Sequence, residues 1–180
     1  LKIWKRVDRA IKLMQKVVDK FQDSELHIIG DGEMRSQLIN FSTDLGLSDN
    51  IKFHGALDHS DAMHVLRTSQ VFWSFYDVSN LGNPVIEAAL LGKPIITLDD
   101  GSTSSLLEEI NFVPLEQLDR AAEITIKILE NDDLRAQYES ASLRAAKKIQ
   151  SWEDRMSFEL KRIEKWLKSL QQNEKSNFRR

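Results

Sequence analysis

Between Val7 and Phe21 the apolar residues Val7, Ala10, Ile11, Met14, Val17, Val18 and Phe21 recur at helical spacing. This stretch therefore predicts an amphipathic helix with one core-facing stripe. Leu26-His27-Ile28-Ile29 is a short apolar run stopped by Gly30-Asp31-Gly32, which predicts a strand and a turn. Met34, Leu38, Phe41 and Leu45 mark the buried side of a second helix, and Gly46 supplies its stop. Ile51-Lys52-Phe53 predicts a strand, and Ser60 is placed to cap a short helix carrying Met63, Val65 and Leu66. Val71 to Phe75 has strong β propensity. Asn83-Pro84 predicts the opening of a helix that runs to Gly92, because Asn caps well and Pro suits the first helical position. Pro94 then leads into a strand from Ile95 to Leu98.

Strand and helix thus alternate, and each strand is short and nearly continuously apolar. That pattern belongs to a parallel sheet covered on both faces. With right-handed crossovers it predicts an α/β, Rossmann-like, doubly wound parallel sheet with helices on both faces. After Leu98 the pattern changes. Gly101 to Glu109 reads as a loop with a short helix and Asn111 to Pro114 as extended chain. Helices are expected over Leu115–Glu130, Asp132–Ile149 and Trp152–Leu170, with Asp132 and Ser151 as caps. The expected division is a Rossmann-like domain over 1–150, a C-terminal helix over 151–170 and a disordered tail over 171–180. Leu1 to Lys5 reads as the end of a strand entered from upstream, which makes the chain, on this expectation, a piece of a longer protein.

Composition narrows the classes of function. A chain of 180 residues buries roughly 70% of its unfolded surface, enough for a core without staples. Hydrophobic residues at 41% and charged residues at 29% fit a folded chain rather than a disordered one. The net charge of −3, with acids and bases mixed, offers no broad basic field to a nucleic acid. Lys161 to Arg180 is locally basic. It reads as a solvated helix face and frayed tail, with weak contact to an anionic membrane surface as the functional alternative. The absence of cysteine excludes disulfides and thiolate metal sites. No apolar run is long enough to span a bilayer, and Leu1-Lys2-Ile3-Trp4-Lys5 lacks the features of a signal peptide. A cytoplasmic location follows as the expectation, with peripheral contact at the inner membrane face as a further option.

Ligands of open parallel sheets bind beyond the carboxyl ends of the strands, where strand order reverses. Three segments at such ends carry unusual residues. Lys5 and Arg6 stand at the mouth of the first helix, where the macrodipole opposes cations and a bound diphosphate would compensate. Two side chains reaching into water account for the pair as well. Gly30-Asp31-Gly32 allows close backbone approach to a ligand, although a tight turn explains it equally. It is neither a full dinucleotide fingerprint nor a P-loop. Ser79 to Glu87 precedes and opens a helix whose amino end makes an anion site, with Glu87 one turn inside, where it can accept two hydrogen bonds from a ribose diol. A first-turn Glu is also an ordinary dipole partner.

The run Val78-Ser79-Asn80-Leu81-Gly82-Asn83-Pro84-Val85-Ile86-Glu87-Ala88-Ala89-Leu90-Leu91-Gly92-Lys93-Pro94-Ile95-Ile96 resembles the signature of family 4 glycosyltransferases, the glycosyl transferases group 1. Leu1–Asp8, Leu26–Arg35, Ile51–Leu57 and Trp152–Leu167 resemble further segments of that family in order and spacing. The resemblance covers almost the whole chain. It implies the C-terminal, donor-binding half of a retaining two-domain GT-B enzyme, whose partner is an N-terminal acceptor domain absent here. The helix over 151–170 would pack back toward that domain. It also implies a nucleoside-diphosphate sugar as donor, transfer to a saccharide or lipid-linked acceptor, no metal and no other cofactor. Carried over residue by residue, Lys5 would neutralise the donor diphosphate and act in catalysis. Glu87 would hold the ribose hydroxyls, and Leu81, Gly82 and Asn83 would cradle phosphate and sugar. Gly55 would border the base, Gly30 and Gly32 would shape the same wall, and Ser79 and Asn80 would lie toward the sugar.

Family members carry a pair of Glu in this segment, and at the first position of that pair the chain has Ser79, which leaves the hold on the sugar open. Asp99-Asp100 has no third ligand nearby in sequence and reads as a solvated turn. His27, His54, His59 and His64 lack a ligand spacing and read as surface or packing residues. Two other classes remain as alternatives. One is a non-transferase of the same architecture, such as a nucleotide-sugar epimerase. The other is a Rossmann-like module for protein partners.

Overall fold

The computed structural model describes residues 1–78, 80–99, 101, 103–108, 111–149, 156–157 and 160–163. The chain separates into two units, Leu1–Ala146 and Lys147–Arg180. In the second, residues 156–157 and 160–163 are helical; the rest of the expected helix and tail lies outside the described residues.

The first unit alternates helix and strand: α1 (Val7–Lys20), β1 (Leu26–Ile29), α2 (Arg35–Asp44), β2 (Ile51–Gly55), α3 (His59–Thr68), β3 (Phe72–Ser74), α4 (Asn83–Leu90), β4 (Ile95–Leu98) and β5 (Phe112–Val113), followed by α5 (Arg120–Glu130) and α6 (Asp132–Ala146). The expected stripe of α1 is real: Ile11, Met14 and Val17 are buried, together with Leu13. Full burial of such a side chain contributes about 1.5–3 kcal/mol. α1 packs against α2 and α5, and α4 against α6. α4 turns Val85, Ala88 and Ala89 inward at i, i+3 and i+4, and the two alanines allow a close approach.

All strand pairs are parallel. β4 is buried at every position, as a central strand covered on both faces must be. The Thr97 hydroxyl, on this buried strand, donates to the Ser74 carbonyl at 2.8 Å, and the Asn111 amide donates to the Ile95 carbonyl at 2.9 Å. The sheet is doubly wound but comes in two pieces, β2-β1 and β3-β4-β5. The chain moves outward from β1 to β2 and returns through α3 to β3 on the other side, so the reversal of strand order falls between β1 and β3. A cleft of about 820 Å³ lies there.

Several local expectations are corrected. Ile3–Lys5 is a single 3-10 turn, not the end of a strand. The cap of α3 is Asp58, whose carboxylate accepts the Asp61 amide at 2.9 Å; Ser60 lies inside the helix and donates to Asp58. Gly82, not Asn83, is the cap of α4, with Pro84 in its first turn. Asn131, not Asp132, caps α6, its side-chain oxygen accepting the Leu134 amide at 2.9 Å. Leu115–Gln117 forms a separate 3-10 turn before α5. Residues 104–106 form a turn rather than a helix.

Candidate functional site

Residues 1–6 cross the carboxyl ends of β1 and β3. The amino group of Leu1 donates to the Asp31 carbonyl, and the Leu1 carbonyl accepts the Met34 amide at 3.2 Å. Further on, the Asp77 amide donates to the Trp4 carbonyl at 3.0 Å. The 3-10 turn then closes on Arg6, which takes the left-handed conformation at φ 48° and caps α1. This geometry separates the two cations that sit side by side in sequence.

Arg6 is satisfied by the protein itself. Its guanidinium meets Asp8 at 3.0 Å and Asp77 at 3.3 Å, and these hydrogen bonds hold its proton above the ordinary arginine range. Arg9 joins the same carboxylate at 2.7 Å and donates to the Phe75 carbonyl at 2.7 Å. Asp77 therefore ties α1 to the segment after β3. Burial raises its carboxyl, but Arg6 and Arg9 outweigh burial and hold it below the usual carboxylate range. A depressed carboxyl stabilises the fold above its unfolded pKa of about 3.9, and that contribution is lost as pH falls through the folded value. The side-chain resonances of Arg9 are expected to shift below about pH 4, and Asp77→Asn is expected to abolish that transition, as NMR would show.

Lys5 is different. Its ammonium lies 3.9 Å from the centre of the Tyr76 ring and 4.4 Å from that of Trp4. The two rings meet edge to face at 5.9 Å. Among the described residues no carboxylate pairs with it, and partial burial lowers its pKa. Cation–π contact partly replaces lost hydration but leaves the net charge uncompensated. The same cleft is lined by Arg6, Tyr76, Pro84 and Glu87, so Lys5 and Glu87 border one space.

Glu87 stands one turn inside α4, with its carboxylate 3.1 Å from the Nε2 of His59 at the start of α3. His59 is 77% exposed and Glu87 29%, so the carboxylate is half sheltered while the imidazole stands outside it. At the mouth of α4 the Leu81, Gly82 and Asn83 amides find no acceptor among the described residues, and Asn83 and Pro84 are exposed. Helix geometry leaves such amides for an anion.

The remaining expected site residues divide. Asn80 is fully buried. Its side-chain oxygen accepts the Ser74 hydroxyl at 3.0 Å and the Tyr76 amide at 2.8 Å, and its nitrogen donates to the Tyr76 carbonyl at 3.2 Å. Asn80 thus holds the loop that carries Tyr76. Gly30, Gly32 and Gly55 gather at the ends of β1 and β2, where the Gly30 amide donates to the Gly55 carbonyl at 2.7 Å. A side chain at Gly32 would overlap the backbone of Leu1. Gly30 and Gly32 lie against Leu1, and Gly55 lies against the Asp31 side chain. Ser79 lies outside the described residues. Trp4, Tyr76, Asp77 and His59 joined no candidate list from sequence, because their partners sit on other loops of the fold. His27 also has a partner: its Nδ1 lies 2.8 Å from the Nε2 of His54, and its Nε2 faces Glu25 at 3.3 Å. Among the described residues no group of three His, Asp or Glu is arranged to hold a metal, and no helix is long and apolar enough to cross a membrane.

Known proteins resemble this chain in sequence and in fold. A family model described as glycosyl transferases group 1 matches residues 1–144. The GDP-mannose-dependent monoacylated alpha-(1-6)-phosphatidylinositol monomannoside mannosyltransferase of Corynebacterium glutamicum is 28% identical over 155 residues, covering 81% of this chain and 40% of that protein. The chain thus spans about two-fifths of that relative's length. S. aureus TarM, crystallised with Fondaparinux, alpha-GlcNAc-glycerol and UDP, superposes with a TM-score of 0.76 at 22% identity, over 92% of this chain and 32% of that one. HepE of Anabaena, crystallised with UDP and glucose, gives a TM-score of 0.68 at 22% identity, over 82% and 41% of the two chains.

Proposed function

Because the chain belongs to the group 1 glycosyl transferases, we propose that it is the donor-binding half of a retaining enzyme that moves a sugar from a nucleoside diphosphate to a saccharide or lipid-linked acceptor. The observation that carries this is the uncompensated ammonium of Lys5, set against Tyr76 on the cleft that Glu87 also lines. The pyrophosphate settles between Lys5 and the amino end of α4, and the ribose diol meets Glu87. When the anomeric C–O bond breaks, negative charge grows on the leaving phosphate. A fixed cation and oriented amides stabilise that charge more than they stabilise the bound ground state. With these groups in place the chemistry calls for no divalent metal.

The acceptor half and the group nearest the acceptor hydroxyl belong to the rest of a longer protein, so this chain binds nucleotide and turns over nothing alone. The whole enzyme acts in the cytoplasm, with peripheral contact at the inner membrane face. The basic composition of Lys161–Arg180 and the lipid-linked substrate named for the Corynebacterium relative support that placement.

Isothermal titration with UDP, GDP and ADP at millimolar concentration tests the reading. At least one is expected to bind, and silence from all three counts decisively against it. Glu87→Gln separates the ribose contact. It is expected to weaken the preferred nucleoside diphosphate about tenfold and to leave its 2′,3′-dideoxy analogue unaffected.

A further inference from the structure

Glu87 has a fixed backbone and a long side chain. Val85, Ala88 and Ala89 are buried and anchor α4 on either side of it. The side chain itself has three rotatable bonds, and a ligand that has to order a free glutamate loses binding energy to that ordering. Among the described residues the Glu87 carboxylate makes one hydrogen bond, to the Nε2 of His59 at 3.1 Å.

His59 is placed for this contact by the start of α3. It is the first residue of that helix and follows the cap directly. The Asp58 carboxylate accepts the Asp61 amide and the Ser60 hydroxyl, both at 2.9 Å, and so sets the first turn. An ionised carboxylate can only accept, so the Nε2 of His59 carries a proton and donates it to Oε1 of Glu87. That bond uses one lone pair of Oε1. The other lone pair of Oε1 and both of Oε2 are left, enough for the two hydroxyls of a pentose.

The contact adds little to the fold. His59 is exposed, and a hydrogen-bonded ion pair at an exposed side chain contributes little to stability. Its effect falls on Glu87, which borders the cleft. A carboxylate already held in one orientation does not have to be ordered when the ligand arrives, and preorganised contacts bind more tightly for that reason.

We propose that His59 is a positioning residue for the pentose, acting through Glu87 rather than by touching the nucleotide. This rests on the donor-binding reading given above and extends it to α3, an element that reading does not otherwise use.

Isothermal titration of the chain and four variants tests it: His59→Ala, His59→Gln, Glu87→Gln, and His59→Ala combined with Glu87→Gln. The probes are UDP, GDP and ADP, and the 2′,3′-dideoxy form of whichever binds most tightly. His59→Ala is expected to weaken the ribose form about fivefold and to leave the dideoxy form unchanged. His59→Gln, whose amide N–H reaches about as far as Nε2, is expected to restore most of the loss. In the Glu87→Gln background, removing His59 is expected to cost nothing further. The positioning role is overturned by any of four results: no loss in His59→Ala, an equal loss for both nucleotide forms, no recovery in His59→Gln, or an undiminished loss in the Glu87→Gln background. Discrimination between the two nucleotide forms by Glu87→Gln but not by His59→Ala removes His59 alone. If no diphosphate binds the chain, or Glu87→Gln binds the ribose form as tightly as the chain does, the donor-binding reading falls and His59 with it.

Discussion

Lys5→Ala is expected to cost this chain most of its affinity for a nucleoside diphosphate while leaving its thermal stability unchanged. A charge-assisted hydrogen bond is worth about 1.5–3 kcal/mol, or roughly ten- to a hundredfold in binding. The matching nucleoside, without phosphate, should bind both proteins alike. Lys2→Ala is the control, because the Lys2 side chain is exposed and among the described residues reaches only Glu33, at 3.5 Å. In the longer enzyme the loss in turnover is expected to be larger, about a hundredfold or more, because charge on the leaving phosphate is greatest in the transition state. The pH dependence is a second signature. Burial lowers the pKa of Lys5, so the free protein loses this charge earlier on the alkaline side than an exposed lysine would. Diphosphate affinity should fall as pH rises through that lowered value, below the ordinary lysine range. Lys5→Arg, which stays charged, should lack that alkaline limb. An alkaline limb identical in both proteins would assign it to another group and remove Lys5 from the site.

Some of this was legible in the residues alone. α1 and β1 fall close to where their apolar patterns end, and β4 matches its expected span, because helical periodicity and a short β-branched run are strong local signals. The Ile3–Lys5 turn was not legible, since one 3-10 turn is too short to show a period. The choice of Asp58 over Ser60 as a cap turns on which oxygen meets the Asp61 amide, a matter of backbone angle. Strand order leaves no trace in periodicity at all, so the break between β1 and β3 appears only in three dimensions. The site divides in the same way. Lys5 and Glu87 were visible as charges beside helix mouths. Tyr76 and Trp4, which hold Lys5, and His59, which meets Glu87, were not, because the folded loops bring them together.

Asn80 shows the limit most sharply, and its replacement gives the largest expected loss of stability. The family resemblance places Asn80 toward the sugar, and in the fold its side chain is fully buried and bonded to Ser74 and Tyr76. Asn80→Ala would strand the Tyr76 amide, the Ser74 hydroxyl and the Tyr76 carbonyl. Each buried group left unsatisfied costs about 1–3 kcal/mol, and partial access of water should bring the total to about 2–4 kcal/mol. For a domain of this size that lowers the melting temperature by about 10 °C, measurable by calorimetry. Asn80→Asp keeps an acceptor for Ser74 and the Tyr76 amide but loses the donor to the Tyr76 carbonyl, and it adds a buried charge, so it should not rescue. Because the same loop presents Tyr76 to Lys5, Asn80→Ala should also weaken nucleoside diphosphate binding at temperatures where the protein remains folded. A side chain that served only to touch the sugar would behave in the opposite way: the melting temperature would stay put, and only sugar-bearing ligands would bind less tightly.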